Sequence, residues 1–348
     1  ADLSQLKLIF SIYGRYDRTI DTSNVHKEIS ERLREELDYE QEARHMALFA
    51  EALKAEKQIH IPRVVPELST RRLLTMNWLE GQPLLDFREA DLETRNTIAL
   101  NMLRENGINA VIAAGHSLGE YSANVAAGSI QFLDAVRLVN LRGRFMQEAV
   151  PVGVGGMAAI IGMSLDIVRG LCDRISTEDF IVQPANINSQ EQIVIAGHLR
   201  AVEEVSRLAK NEGAKKSVML PVSAPFHCSL MKSAEIKLQK ELEKTEFVDH
   251  QYPVISNIQA RPLTTGPLAR EALIRQVCSP VMWADTMQYL IEGEVDVVIE
   301  LGTGRVLSGL MRRFNKNIKC FQVGDPESLK TTVDACKTFL KQNNSYGT

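Results

Sequence analysis

The sequence predicts a layered α/β core with a ferredoxin-like α+β unit inserted in it, preceded by a small α+β fragment. Three observations carry this expectation. From Asn109 onward, short apolar runs alternate with amphipathic stretches, the pattern of strands and helices in layers. Between residues 155 and 222 the order is β-α-β-β-α-β, which is that of a ferredoxin-like unit. Before Asn109 the texture differs, with long helical stretches on either side of two short apolar runs.

Taken in order, residues 24–57 predict a helix. Val25, Ile29, Leu33 and Leu37 recur every four residues, Met46, Phe49 and Leu53 continue the stripe, and Thr22 or Ser23 supplies an N-cap. The stretch HIPRVVPELSTRRLLTMNWLEGQPL reads as two strands around a polar turn at Ser69–Arg72, and residues 82–104 as a second helix. NAVIAAG then reads as a strand, followed by a tight turn and a helix. In the inserted unit, GMAAIIG, FIVQPANIN, QIVIAGH and KSVMLPV read as strands. SLDIVRGLCDRI and RAVEEVSRLAKNEG read as its helices, the second ending at Gly213. Beyond it, helices are expected at 229–245, 270–277, 305–314 and 326–341, and strands at 252–258, 295–301 and 319–323. The domain reading is a fragment over 1–100 and an α/β domain over 105–340, with 155–222 as the insertion.

Composition excludes several functions. The chain has 348 residues, 45% hydrophobic and 24% charged, enough for a sizeable core. A net charge of −4 without a long basic run disfavours nucleic acid and anionic membrane as partners. The five cysteines are scattered and form no C-x-x-C pair, so neither a metal site nor a disulfide framework is expected. No 18-residue apolar run occurs, and the expected location is the cytoplasm.

The chemistry gathers around Gly115-His116-Ser117-Leu118-Gly119, a G-x-S-x-G sequence between a strand and a helix. That is the setting of a nucleophile elbow in an α/β-hydrolase-like core, with glycines leaving room for the turn and helix dipole near a developing oxyanion. The alternative is an inert strand-to-helix turn. A serine nucleophile needs a base. Among seven histidines, His227 in LPVSAPFHCSLM follows a strand and precedes a helix, where α/β sheets present functional groups. Its other reading is a turn residue capping that helix. His26 and His45 read as solvated or packed, His60, His198 and His250 as structural, and His116 as diverging from its neighbour. No acidic third member stands out; Glu120 lies close to Ser117 and is read as facing the helix N-terminus. A dyad, its imidazole oriented by a backbone or amide oxygen, is expected. Arg142, taken alone, reads as a solvated helix arginine.

GHSLGEYSANVAAG, AVRLVNLRGRFMQEAVPVGVGGMAAIIG, NINSQEQIVIAG, LPVSAPFHCSLM and SPVMW, in that order, resemble the bacterial malonyl-CoA:acyl-carrier-protein transacylases over residues 105–338. The resemblance implies Ser117 as acyl-accepting nucleophile, His227 as base, and Gln276 as a residue whose oxygen orients the ring. It implies Arg142 as the salt-bridge partner of the malonyl carboxylate, a bidentate role suited to a planar guanidinium. The Leu118 N–H matches one oxyanion donor, Phe226 a bulky residue associated with malonyl over methylmalonyl groups, and Asn188 a cleft position. The implied partners are malonyl-CoA and acyl carrier protein, with no cofactor and no metal.

The sequence departs from that family in one respect. Members begin with an apolar strand running into a Gly-Gln-Gly-Ser-Gln loop that supplies the second oxyanion N–H, and this sequence contains no such segment. Instead, ERLREELDYEQEARHMALFAEAL and IPRVVPELSTRRLLTMNWLEGQPL resemble part of the small lobe of UbiB-like atypical kinases over residues 1–100. Glu36, Asp38 and Glu42 match that family's acidic positions, but no strand lysine, catalytic-loop Asp and Asn, or Asp-Phe-Gly accompanies them, so a solvated helix face is expected there. Three functions follow as expectations: a malonyl transferase, a catalytically impaired chimeric or truncated relative of the transacylases that lacks the strand and loop, and a serine hydrolase.

Overall fold

The computed structural model describes residues 39–52, 61–70, 73–77, 92–222, 224–302 and 304–344. The chain divides into two compact units, 1–86 and 87–348.

In the first unit, helix α1 spans Tyr39–Ala52 with Glu40 and Glu42 in its first turn, where the helix dipole favours acids. Glu36 and Asp38, and the expected helical residues Val25 to Leu37, lie outside the described residues. Among the described residues, the two expected strands carry antiparallel bridges, Val64 with Met76 and Thr70 with Leu73. Pro66 opens a one-turn 3-10 helix between them. Ser69 holds the turn: its Oγ donates to the Val65 carbonyl and accepts from the Thr75 N–H, each at 2.9 Å.

In the second unit, helix α2 (Leu92–Glu105) buries Ala99 and Leu103 against Val323, Leu329 and Val333. Arg104 donates to the carbonyl of Ala126 at 2.6 Å. The expected strand over 109–115 contracts to β1 (Ala113–Ala114), which leads through the elbow to α3 (Gly119–Ala126) and α4 (Phe132–Ala149).

Residues 155–219 form one four-stranded sheet with two helices. They comprise β2 (Gly155–Ile161), α5 (Leu165–Ile175), β3 (Val182–Ser189), β4 (Gln192–His198), α6 (Leu199–Asn211) and β5 (Lys216–Met219). The sheet is antiparallel in the order β3-β4-β2-β5. Strand alternation gives it two apolar faces. Ala158, Ile160, Ile193 and Ile195 bury one face against α5 and α6, whose Val168, Leu171, Val202 and Val205 meet them. Met157, Ala159, Val194 and Ala196 form the other face and pack with Cys228, Phe226 and Leu230. The sheet therefore seats the segment that carries His227.

The remainder is a 3-10 turn (Ser229–Met231), α7 (Lys232–Glu243), β6 (Val254–Ile255), β7 (Pro262–Leu263), α8 (Gly266–Gln276), α9 (Trp283–Glu292), β8 (Val297–Leu301), α10 (Val306–Phe314), β9 (Lys319–Val323) and α11 (Pro326–Asn344). β1 pairs in parallel with β6, and β6 antiparallel with β7; β8 pairs in parallel with β9 as a separate ladder. The strand expected at 252–258 is thus two residues long, and α8 starts four residues earlier than expected because Pro267 fits its first turn. Helices α3, α4, α7 and α8 share one core around Tyr121, Leu138, Leu238 and Leu273. Among the described residues, no helix is long and apolar enough to cross a membrane.

Candidate active site

The elbow between β1 and α3 is built by one glycine. A Cβ on Gly115 would overlap the Gly119 carbonyl and the Glu120 nitrogen, so only glycine lets α3 turn back over β1. Gly119 faces open space; the expectation that both glycines relieve crowding holds for the first alone. Ser117 has φ 54°, in the left-handed region, where a non-glycine residue is held by its surroundings. Asn257, after β6, supplies the hold. Its Oδ1 accepts from the Ser117 N–H at 2.7 Å and its Nδ2 donates to the Gly115 carbonyl at 2.6 Å.

His227 also has positive φ, at 61°, and is buried at 3% exposure. Its Nε2 lies 2.7 Å from Ser117 Oγ, and its Nδ1 lies 3.0 Å from the Gln276 carbonyl. A carbonyl only accepts, so Nδ1 carries the proton and the Nε2 lone pair faces the serine. The ring is thus oriented by a backbone oxygen, one of the two alternatives the sequence left open. Burial, then the positive charge of Arg142, pushes the His227 pKa down to about 3, against the Gln276 carbonyl, which raises it. His227 is neutral at pH 7 and able to take a proton.

Arg142 is buried at 7% exposure, which corrects its reading as a solvated helix arginine. It arrives from α4 over the Tyr121 ring, 5.9 Å from the centroid. Its Nη2 donates to Ser117 Oγ and to Gln276 Oε1, both at 3.0 Å. Gln276, at the end of α8, binds with both its parts: its Nε2 donates to the Ser117 carbonyl at 2.9 Å and to Glu120 Oε2 at 2.7 Å. Glu120, expected to face the helix N-terminus, instead points into this network with 1% exposure, and burial raises its pKa to about 7.

The remaining candidates ring this centre. Asn188 at the end of β3 bonds His116 Nε2 through Oδ1 at 2.9 Å, and His116 meets the Trp283 ring edge-on. The imidazole of His116 thus diverges from Ser117, as expected. Leu118 is 38% exposed at the start of α3, and Phe226 packs between the four-helix core and the inserted sheet. Asn257 and Glu120 were not picked from sequence. Among the described residues, no group of three or more His, Cys, Asp and Glu could hold a metal ion.

A half-buried serine bonded to a buried neutral histidine, beside a buried arginine, is a set of groups that can accept an acyl group from a carboxylated donor. Residues 96–325 match the acyl transferase domain family. The malonyl CoA-acyl carrier protein transacylase of Bacillus subtilis is 44% identical over 246 residues, covering 71% of this chain and 78% of that protein. The chain belongs to the malonyl CoA-acyl carrier protein transacylase family. The Escherichia coli transacylase is 43% identical, covering 66% of this chain and 74% of its own length. Among solved transacylase structures, that of Clostridium perfringens has a TM-score of 0.70 at 38% identity, covering 73% of this chain and 79% of its own. A malonyl-transacylase in complex with its type II PKS acyl-carrier protein has a TM-score of 0.67 at 41% identity, covering 70% and 79%. Transacylase members with these scores share the mixed α/β fold. Residues 1–135 separately match the ABC1 atypical kinase-like domain, in line with the second resemblance.

Proposed function

We propose that this chain moves a malonyl group from coenzyme A to acyl carrier protein through an acyl-serine, the reaction named for its relatives. The observation that carries the reading is the shared bonding of Ser117 Oγ by His227 Nε2 and Arg142 Nη2. His227 takes the proton of Ser117 as its oxygen attacks the malonyl thioester carbonyl, and Leu118 N–H faces the developing oxyanion. The thiol of coenzyme A leaves with that proton. The pantetheine thiol of acyl carrier protein, deprotonated by His227, then attacks the acyl-serine and restores Ser117. Gln276 orients the histidine through its carbonyl. Asn188 and Phe226 shape the cleft wall against the inserted unit.

Arg142 has two effects in this scheme. Without donor, it bonds the nucleophile and holds His227 at low basicity. A malonyl carboxylate that pairs with the guanidinium neutralises the charge and draws Nη2 from the serine. The donor thereby raises the basicity of His227 toward the range where proton transfer is efficient. This disfavours the serine hydrolase reading, in which Arg142 has no task.

The antiparallel order β3-β4-β2-β5 and the parallel β1–β6 and β8–β9 ladders support an α/β-hydrolase-like core over 105–340 with a ferredoxin-like insertion. Residues 1–100 are read as an atypical-kinase fragment without nucleotide chemistry, and the location as cytoplasmic. A slow transferase is the second reading. The Gly-Gln-Gly-Ser-Gln loop that resemblance assigns to the other oxyanion donor does not occur in the sequence, and one lost donor costs about 10²–10³ in rate. The separateness of the β1 and β8 ladders among the described residues favours it. Intact mass after mixing with malonyl-CoA tests both readings. A malonyl adduct on Ser117, absent in Ser117→Ala and passed on to acyl carrier protein, is expected. An adduct that forms equally in Ser117→Ala refutes them.

A further inference from the structure

Glu120 is the charged side chain beside the dyad to which the transfer scheme assigns no step. It is the second residue of α3 and fully enclosed. Its Oε2 accepts from Gln276 Nε2 at 2.7 Å and from the Asn257 backbone N–H at 3.2 Å. Its Oε1 is buried with no hydrogen-bond partner. Burying a carboxylate is expensive, and a turn of helix alone gives no reason for it.

The amide of Gln276 gives one. Glu120 Oε2 and the Ser117 carbonyl are both acceptors, so the NH₂ end of that amide must face them. The oxygen is then forced to the opposite side, where it accepts from Arg142 Nη2 at 3.0 Å. Among the described residues Arg142 donates to Ser117 Oγ and Gln276 Oε1, and its Nε has no partner. Once Ser117 is acylated its oxygen is an ester oxygen, a poor acceptor. Gln276 Oε1 then remains as the hold on the guanidinium from the protein side.

We propose that Glu120 is a positioning residue for donor selection: by fixing the Gln276 amide it aims Arg142 at the free carboxylate of the acyl donor. This rests on the reading of the site as a malonyl transferase. The role is one of position rather than charge, since a neutral amide oxygen at the same place also accepts from Gln276 Nε2. With the Glu120 acceptor gone, the Ser117 carbonyl alone holds the NH₂ end, so the amide turns more readily and the guanidinium loses part of its aim. The His227 ring is spared, because it is oriented by the backbone of Gln276 and not by its side chain.

The test measures kcat/KM for loading of the full chain by malonyl-CoA and by acetyl-CoA, read by intact mass, with a melting curve for each variant. The variants are Glu120→Ala, Glu120→Gln, Arg142→Ala and the Glu120→Ala/Arg142→Ala pair. A hydrogen bond to a charged group corresponds to about a tenfold to hundredfold effect. The malonyl-to-acetyl ratio is therefore expected to fall at least about tenfold in Glu120→Ala and to return within about threefold in Glu120→Gln. Added to Arg142→Ala, the Glu120→Ala change should lower the ratio no further, because its effect runs through the arginine. Equal losses for the two donors, a ratio in Glu120→Gln as low as in Glu120→Ala, or additive losses in the pair overturn the proposal. If Glu120→Ala does not fold, Glu120→Asp, which keeps the charge and withdraws the oxygens by one methylene, is read in its place with the same expectation. A wild type that malonyl-CoA does not load overturns the transferase reading and the proposal with it. A wild type that loads, with a ratio the variants leave unmoved, overturns the proposal alone.

Discussion

Arg142→Ala should make His227 a stronger base while weakening the choice of malonyl donors. In the intact site the His227 pKa is held at about 3, first by burial and next by Arg142. The ring nitrogen and the guanidinium nitrogen bond the same serine oxygen at 2.7 and 3.0 Å, so they lie no more than about 6 Å apart. At an effective dielectric of about 20, unit charges at that separation repel by about 3 kcal/mol, which is about 2 pH units. Removing the positive charge favours the protonated ring, so the pKa should rise from about 3 to about 5. The assay is Ser117 loading by acetyl-CoA, which offers Arg142 no carboxylate, followed by quenched intact mass between about pH 4 and pH 8. Wild type should keep its rate through the lower half of that range, while Arg142→Ala should fall to half its plateau near about pH 5. Glu120 titrates near 7 and is lowered by the same guanidinium, so its step moves up in the variant, away from that of His227. Wild type loading from malonyl-CoA should resemble the variant, since the donor carboxylate neutralises Arg142. Coincident acid limbs in wild type and Arg142→Ala would refute the reasoning, and with it the idea that the donor activates the base.

Three further outcomes are expected. Gly115→Ala places a Cβ inside the envelope of the Gly119 carbonyl and should lower stability by about 1–3 kcal/mol in denaturant titrations, whereas Gly119→Ala, facing open space, should not. Asn257→Ala leaves the Ser117 N–H and Gly115 carbonyl without partners and should lower stability by about 1–3 kcal/mol while slowing loading, with Asn257→Asp between it and wild type. Glu120, with its pKa raised to about 7, contributes stability below its unfolded pKa near 4.5 that is lost as pH rises through 7, whereas His227, lowered to about 3, contributes stability above 6.5 that is lost as pH falls toward 3. The two slopes cancel between about pH 4.5 and 6.5, so Glu120→Gln should expose the histidine's slope there, about 1.4 kcal/mol lost per unit of acidification; an unchanged stability profile counts against both assignments.

Where the sequence carries a strong period, the fold was legible. Residues 155–219 carry amphipathic helices and alternating strands, and the ends of these elements agree with the expected ones within a few residues. The core strands were harder. NAVIAAG and the run at 252–258 are apolar throughout, yet only Ala113–Ala114 and Val254–Ile255 pair as strands. Burial on all sides makes a run apolar whether or not it joins a ladder, and composition does not separate the cases. Helix α9 was not foreseen because Trp283, Ala284, Met287 and Leu290 bury most of its face and blur its polar side.

The site divides along a different line. Ser117 and His227 were legible because each sits on a strand-to-helix turn, a local feature that the glycines and the flanking runs announce. Arg142 was not, because helix α4 surrounds it with Asn140, Arg144 and Gln147, the neighbours of a solvated face. Its burial depends on what packs over it from α3 and α8, more than 100 residues away for Gln276. Glu120 and Asn257 fall in the same class: Ser117 and Asn257 bond across 140 positions, and Glu120 and Gln276 across 156. A polar residue in a helix reads as surface until the segment that covers it is known. In this site the covering segments also supply the acceptors, and that is how a glutamate, a glutamine and an arginine stay buried together. The turn that carries Ser117 is thus written locally, while the polar groups buried around it are written in pairs of distant positions that the packing of α3, α4 and α8 brings together.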